Sequence, residues 1–226
     1  MLATNNFIPL TDSALPFEMK HEDQLVTISI WRGGKLEVST NKDQSTWGFI
    51  SVGRALLTTK SGNFSIQEGM YFSATGEVTL SGKGEGLFIT QTGQNAFFHL
   101  GGPIEEKGRL HYIDGCTDSL LVSPVIRGDA CLNLLHIPSQ TFQSQHTHPS
   151  LRAGIIVSGS GECITPEGSH PLYPGLAFII PAQGQHSFKT SEEALRVIAF
   201  HPDSDFGPTH EEHPMINRTY LTHEMS

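Results

Sequence analysis

Four glycines in the first half of this 226-residue chain recur at a constant offset in the second half. The pairs, each separated by 106 residues, are Gly48 and Gly154, Gly53 and Gly159, Gly62 and Gly168, and Gly69 and Gly175. Thr59 and Thr165 match at the same offset, as do Phe72 and Phe178, and no insertion interrupts the segment. A period of this length is too long for one unit of a solenoid, so the pattern predicts a duplicated domain.

The repeated glycines separate short apolar runs whose lengths are typical of β-strands. The first copy contains WGFISV, ALLTT and MYFSA, and the second contains AGIIV, ECIT and LAFII. Sustained helical periodicity is hard to find, and 23 glycines with 13 prolines make the chain rich in turns. We therefore expect an all-β sandwich or barrel in duplicate. The boundary is predicted near the GGPIEEKG segment, which assigns residues 1–112 to the first domain and residues 113–226, with a polar C-terminal tail, to the second.

Charge and cysteine content limit the partners that this chain is expected to have. The 14 Lys and Arg against 23 Asp and Glu give a formal charge of −9, which disfavours nucleic acid as a partner. Neither a secretory signal pattern nor an apolar run long enough for a membrane span is found in the sequence, so a soluble, cytoplasmic protein without membrane contact is expected. The 3 cysteines form no C-x-x-C pair, and they predict reduced structural thiols rather than disulfides or a cysteine zinc site.

The segment FQSQHTH contains an H-x-H pair formed by His146 and His148. On a strand, both imidazoles would project from one face. A third histidine, His186, follows the apolar run LAFII, and a barrel could bring it beside the first two. Three imidazoles suit a divalent transition metal but do not select the element. The alternative is an exposed strand with two polar residues, because accidental pairs arise easily among 12 histidines.

The spacing of the residues that follow His148 adds a longer pattern. Three residues separate His148 from Arg152, six more lead to Gly159, and fifteen separate Gly159 from Gly175. Pro181 follows Gly175 after five residues, and His186 lies five positions beyond Pro181. Over residues 146–190 this resembles the cupin superfamily, with its motifs G-x5-H-x-H-x3,4-E-x6-G and G-x5-P-x-G-x2-H-x3-N. With the repeat, the whole chain is similar to a bicupin, which implies two tandem jelly-roll barrels that bind ligands in their interiors.

The resemblance implies that His146, His148 and His186 are three of the family's four usual metal ligands. The fourth, a glutamate, is replaced by Arg152, and lesser departures are Gln140, Gly184 and Thr190. An Arg cation about 5 Å from a divalent ion would be repelled by roughly 7 kcal/mol at an effective dielectric of about 20, so Arg152 cannot be a ligand. Two alternatives remain open. The side chain turns away to the rim or solvent, or it stays near the metal and grips an anionic substrate.

The first copy lacks the ligand set of the second. Thr40, Lys42, Thr46 and Leu80 lie at the positions that match His146, His148, Arg152 and His186. We therefore expect a degenerate first barrel that packs against the second or forms a dimer face. A homodimer is an expectation from the family alone.

Further candidates surround the second motif. Tyr173, Phe178 and Phe188 are expected to line a substrate pocket or to belong to the core, and Gln183 to donate a supporting hydrogen bond. In the tail, His210 and His213 indicate a lid or a cap more than a second site.

Three functions are compatible with these residues, and no catalytic residue can be assigned beyond the ligands. The three-histidine set resembles that of the cupin iron dioxygenases, which implies Fe(II) and oxidation of a small organic acid or enol-type substrate. A non-catalytic cupin that binds a metal or a small molecule, as a sensor or store, is the first alternative. A metal-dependent isomerase or lyase, with Ni, Zn or Mn at the site, is the second. Fold alone does not decide among them.

Overall fold

The computed structural model describes residues 5–11, 16–40, 42–93, 96–124 and 128–203. Nearly all regular structure in these ranges is β-strand, which confirms the expected all-β fold. The polar tail from residue 204 onward, including His210 and His213, lies outside the described residues. Within the described ranges, no helix has the length and the apolar character needed to cross a membrane.

The strands of the first half begin close to the N-terminus. They are β1 (Ile8–Leu10), β2 (Phe17–His21), β3 (Gln24–Trp31), β4 (Gly34–Ser39), β5 (Gln44–Thr59), β6 (Gly62–Gln67), β7 (Tyr71–Thr75), β8 (Val78–Thr92) and β9 (His99–Gly101). The strands that follow are β10 (Leu110–His111), β11 (Thr117–Val122), β12 (Cys131–Ile137), β13 (Arg152–Ser158), β14 (Gly161–Thr165), β15 (Gly168–Leu172), β16 (Ala177–Ile180), β17 (Ser187–Lys189) and β18 (Leu195–His201). A 3-10 turn, Ile113–Gly115, precedes β11.

The strands form three antiparallel sheets. The first has the order β2-β3-β8-β5-β7-β9, with β4 on β8 and β6 on β5. The second has the order β1-β16-β13-β18-β12-β11-β10, and the third is β15-β14-β17. The N-terminal strand β1 thus belongs to the sheet of the second half, through the pairing of Ile8 with Ile179. The strand β10 also pairs there, and the division of the chain at residue 112 stays a prediction.

The glycine repeat coincides with a repeat in local backbone geometry. Gly48 pairs with Phe72 in the first copy, and Gly154 pairs with Phe178 in the second. The other repeated glycines also share their φ angles, which are +85° and +81° at Gly53 and Gly159, +132° and +139° at Gly62 and Gly168, and +78° and +87° at Gly69 and Gly175. Even the register shift recurs, between Ile50 and Val52 and again between Ile156 and Ser158.

The close approach of a phenylalanine ring explains the first glycine of each copy. A Cβ atom at Gly48 would lie 2.4 Å from the Phe72 ring, and one at Gly154 would lie 2.7 Å from the Phe178 ring. Any side chain there would displace a ring from the core, so each half needs glycine opposite its phenylalanine.

Three buried clusters hold the molecule together. The first-half cluster surrounds Phe72 and includes Leu80, the residue at the position that matches His186 in the repeat. The second-half cluster surrounds Phe178. The third lies between the two large sheets, where the rings of Trp47 and Phe200 are 5.1 Å apart. An apolar leucine therefore fills the first interior where the second half has a histidine.

Strand alternation decides which side chains face the interior of the second half. On β18, Val197 belongs to the second-half cluster, whereas Ile198 and Phe200 lie in the layer between the sheets. On β13, Ile156 belongs to the second-half cluster and Ile155 to the layer between the sheets. Successive residues point to opposite faces, so the parity of each strand assigns its polar residues as well.

Candidate metal centre

Two loops meet to bring the three histidines together. His146 lies before β13 and His186 precedes β17, and their backbones form an isolated antiparallel bridge with N–H to O distances of 2.9 and 3.0 Å. The carbonyl of His148 accepts a hydrogen bond from the backbone N–H of Gln183 at 2.7 Å. The H-x-H pair therefore lies in an extended segment outside the named strands, fastened to the turn that carries the third histidine.

The three rings face one another closely enough to share an ion. The ring centroids are 4.4 Å apart for His146 and His186, 5.0 Å for His146 and His148, and 5.2 Å for His148 and His186. One ring nitrogen of each lies within 4.8 Å of the others. Within the described ranges, this is the only group of three or more His, Cys, Asp or Glu with such geometry.

Local backbone carbonyls orient two of the rings. Nδ1 of His146 donates to the carbonyl of Ser144 at 2.8 Å, and Nδ1 of His186 donates to the carbonyl of Gly184 at 2.9 Å. A carbonyl can only accept, so each Nδ1 carries the proton and each Nε2 keeps a lone pair. This arrangement fixes the tautomer that metal-binding histidines commonly use.

Burial keeps the imidazoles of His148 and His186 neutral. His186 is 1% exposed, and burial lowers its pKa to about 4. Burial also lowers the pKa of His148 to about 2, with the positive charge of Arg152 as the next cause. A metal ligand must be deprotonated, so these two residues meet that requirement at neutral pH.

Arg152 lies inside the molecule beside the histidines. It begins β13 on the same face as Ile156, and only 4% of its surface is exposed. Its Nη1 atom donates to the carbonyls of Ser150 and Leu151 at 3.1 and 3.0 Å and to the Ser150 hydroxyl at 2.7 Å. Of the two alternatives left open by the sequence, the structure thus excludes a solvent-exposed arginine.

His201, at the end of β18, was not singled out by the sequence. It shares the interior face of Val197 and is 8% exposed, and its charge contributes to the lowered pKa of His148. Its only sequence signal is the parity of the strand LRVIAFH, which becomes informative once the inward face is known.

The remaining predicted site residues lie at different distances from the histidines. Phe188 is buried, with its ring 5.7 Å from that of His186. Phe178 is buried in the second-half cluster, 6.2 Å from Phe188. The Gln183 side chain is exposed and accepts a hydrogen bond from Thr147. Tyr173 is 47% exposed on the turn between β15 and β16, at the opposite end of β16 from the site.

The sequence analysis also missed a pair of polar residues on the interior face of the second half. Asn133 on β12 donates through Nδ2 to Oδ2 of Asp118 on β11. Burial raises the pKa of Asp118 to about 7, while the hydrogen bond from Asn133 acts in the opposite direction. Asp118 is therefore the described carboxyl whose charge changes near neutral pH.

Asp118 should make the stability of the protein depend on pH in a recognisable way. Its pKa is above the unfolded value of 3.8, so the folded state holds a proton that the unfolded state releases, and stability falls as pH rises from about 4 to about 7. Over this pH range, the free energy of unfolding of Asp118→Asn should therefore rise by about 2 to 4 kcal/mol relative to that of wild type. Urea unfolding at pH 4.5 to 8, with chelator present, measures this difference.

The histidines are the same in both proteins, so their contribution cancels in the comparison. Asp23→Asn, at the exposed turn between β2 and β3, is the matched control and should follow wild type. A parallel pH dependence in wild type and Asp118→Asn would contradict the assigned burial of this carboxyl.

Comparison with known proteins finds similarity in structure only. No family description and no curated protein matches the sequence. Among solved structures, a cupin 2 conserved barrel domain protein from Leptotrichia buccalis matches with a TM-score of 0.59 and 11% identity, over 85% of this chain and 91% of that one. Oxalate decarboxylase from Bacillus subtilis, described with Mn(II) centres, matches with a TM-score of 0.55 and 9% identity, over 92% and 79% of the two chains. Salicylate 1,2-dioxygenase from Pseudoaminobacter salicylatoxidans, described with gentisate, matches with a TM-score of 0.58 and 10% identity, over 79% and 68%.

Proposed function

The chain has the cupin fold, and from this premise we propose that it is a metal-dependent oxygenase that acts on a small organic acid or enol-type substrate. His146, His148 and His186 would hold one divalent ion, with Fe(II) favoured. Residues 113–226 would form the metal-binding barrel, and residues 1–112 would be its scaffold. The cytoplasmic location and the homodimer expected from the sequence stay predictions.

The observation that carries this proposal is the orientation and protonation of the imidazole rings. The Nδ1 protons of His146 and His186 are already committed to backbone carbonyls, and burial keeps His148 and His186 neutral. Neutral imidazole nitrogens suit Fe, Zn, Ni and Cu better than they suit hard cations such as Mg or Ca. When bound, Fe(II) would supply a Lewis acid and access to one-electron chemistry with O₂.

The charge of the site supports an anionic substrate. Three neutral ligands leave the full charge of a divalent ion in place, and the buried guanidinium of Arg152 adds another positive charge. A carboxylate or an enolate oxygen would offset this charge, and a planar guanidinium suits the two oxygens of a carboxylate. In this proposal Arg152 binds and orients the acid, while Phe188, beside His186, helps to exclude water.

Metal analysis together with O₂ consumption tests the proposed oxygenase. Protein purified anaerobically without chelator should contain close to one iron per chain, and it should consume O₂ when supplied with the correct member of a panel of carboxylates and diketones. Arg152→Met should keep the metal but lose affinity for acids on the order of tenfold to a hundredfold, because a buried charged hydrogen-bond donor is removed.

The outcomes separate the candidate functions. Bound metal with O₂-independent conversion of an acid would contradict the oxygenase and favour the isomerase or lyase. That alternative gains support from Asp118, since a carboxyl with a pKa of about 7 in the same interior can exchange a proton near neutral pH. Bound metal without turnover of any acid would favour the binding protein. Failure to bind any divalent metal would overturn both enzymes and leave a barrel that binds a small molecule.

A further inference from the structure

The interior face of the second half carries a polar pair that the proposed function does not use. Asp118 pairs directly opposite Leu135, a member of the second-half cluster. Side chains of directly opposed residues on antiparallel strands share a face, so Asp118 points into the same interior. Asn133 precedes Leu135 by two residues on β12 and therefore lies on that face as well.

The pair has acceptor capacity left over. After Asn133 Nδ2 has donated to Asp118 Oδ2, the Oδ1 atoms of both residues are closed to bulk solvent and have no hydrogen-bond partner among the described residues. Asn133 is 3% exposed, so its side chain cannot reach bulk water by a small shift. Native interiors seldom leave a buried acceptor without a partner. Both acceptors are therefore available to a donor other than the described residues, such as a water or a ligand.

Two partly exposed side chains flank the pair on the interior face. Asn133 lies between Ala199 on β18 and Leu120 on β11 in the same row of the sheet, and both neighbours are partly exposed. Along β18, by contrast, Ile198 and Phe200 on the opposite face are fully buried. The row that holds Asn133 is therefore less completely covered than the opposite face of β18.

The position of the pair sets the size of a ligand that could reach it. Arg152 lies on β13, and the sheet order places β18 between β13 and β12. Two strand spacings therefore separate the strand of Arg152 from the strand of Asn133, which is about 10 Å. A small acid held at one end by the histidine site and Arg152 could extend its other end to the Asp118 and Asn133 pair.

We propose that Asp118 and Asn133 form the far end of the ligand pocket and accept a hydrogen bond from a hydroxyl or N–H group on the substrate. This inference rests on the proposed function and narrows its substrate class to acids that carry a hydrogen-bond donor distant from the carboxylate. The raised pKa of Asp118 is consistent with this role, because ligand contact with a buried acid is sensitive to its protonation.

Matched pairs of acids test the proposal by binding rather than by turnover. The protein is loaded with Fe(II) under nitrogen and titrated calorimetrically with ω-hydroxy acids and with alkanoates of equal chain length, such as 6-hydroxyhexanoate against heptanoate. For the chain length that spans the pocket, the ratio of the two affinities should favour the hydroxy acid in wild type. In Asp118→Leu that ratio should fall on the order of tenfold or more, because a buried charged acceptor is lost.

Two further variants keep the result interpretable. Asp118→Asn retains an acceptor without the charge and should show a smaller fall in the ratio, and it stands in if the leucine variant does not fold. Asp23→Asn, on the exposed turn, should retain the wild-type ratio. Iron content should stay within about twofold of wild type in all variants, because the pair lies away from the metal ligands.

Each outcome bears on one proposal. An affinity ratio that is the same in wild type, Asp118→Leu and Asp118→Asn would overturn the assignment of the far subsite while leaving the metal site intact. A wild-type protein that binds iron and alkanoates but shows no preference for any hydroxy acid would overturn it as well. Failure to bind Fe(II) at all would overturn the proposed function, and with it this inference.

Discussion

His186→Ala should leave the protein unable to hold a stoichiometric metal ion. His186 is 1% exposed and is bridged through its backbone to His146, and its removal leaves two ligands. Loss of groups that merely support a ligand costs about tenfold to a hundredfold in metal affinity, so loss of the ligand itself should cost more than about a hundredfold. Equilibrium dialysis against Fe(II) and Zn(II), followed by elemental analysis, measures the change.

A matched histidine substitution and a stability measurement complete this experiment. His111→Ala, on the exposed side of β10, should retain wild-type metal content. Wild type at a metal concentration of about 100 times Kd should gain about 2.7 kcal/mol of stability over its metal-free form, and His186→Ala should gain none. If His186→Ala and His148→Ala both kept a full equivalent of metal, the ion would be bound elsewhere and the triad would not be its site.

Gly159→Ala should be the most destabilising small substitution in the second half. Its φ is +81°, and a Cβ atom there would lie 1.8 Å from the carbonyl oxygen of Ala194, a backbone atom that cannot rotate away. Backbone strain costs about 1 to 3 kcal/mol, and the clash should bring the total above about 4 kcal/mol, a range reached by few substitutions. Chemical denaturation of the metal-free protein measures the loss.

Gly76→Ala separates the two causes of that loss. Gly76 has a comparable φ of +92°, but nothing lies within 4 Å of a Cβ atom built there. Its replacement should therefore cost only the strain, about 1 to 2 kcal/mol. Equal losses of stability in Gly159→Ala and Gly76→Ala would show that the backbone near Ala194 moves aside easily, contrary to the close contact at Gly159.

The repeat and the ligands could be predicted because both are local patterns. A glycine is required wherever a backbone or a ring comes too close, and the same requirement arises twice in this chain, at Gly48 and Gly154. The H-x-H pair places its ligands two residues apart, so only His186 had to be brought from a distance.

The other interior groups could not be predicted, because their positions depend on register and on which face is inward. His201 and Asp118 are single polar residues on apolar strands, and a shift of one residue would turn either of them outward. Register shifts within β11 and β13 change which residues of these strands face inward. The inward face therefore cannot be predicted from the sequence alone. For the same reason, the sequence left open whether Arg152 turns away to the rim or solvent or stays near the metal to grip an anionic substrate.

The pairing of β1 with β16 has a consequence for the order in which this protein is completed during synthesis. Ile8 leaves the ribosome before its partner Ile179, which is made about 170 residues later. At about 5 to 20 residues per second, the N-terminal strand waits on the order of 10 to 30 seconds before it can pair. Asn6 forms hydrogen bonds with Glu167 and with the backbone of Gln185 beside His186, and these contacts are delayed in the same way. The turn that carries the third histidine is therefore held by a segment that is made well before it, and a ribosome that stalls before residue 180 leaves the edge of β1 open to other chains.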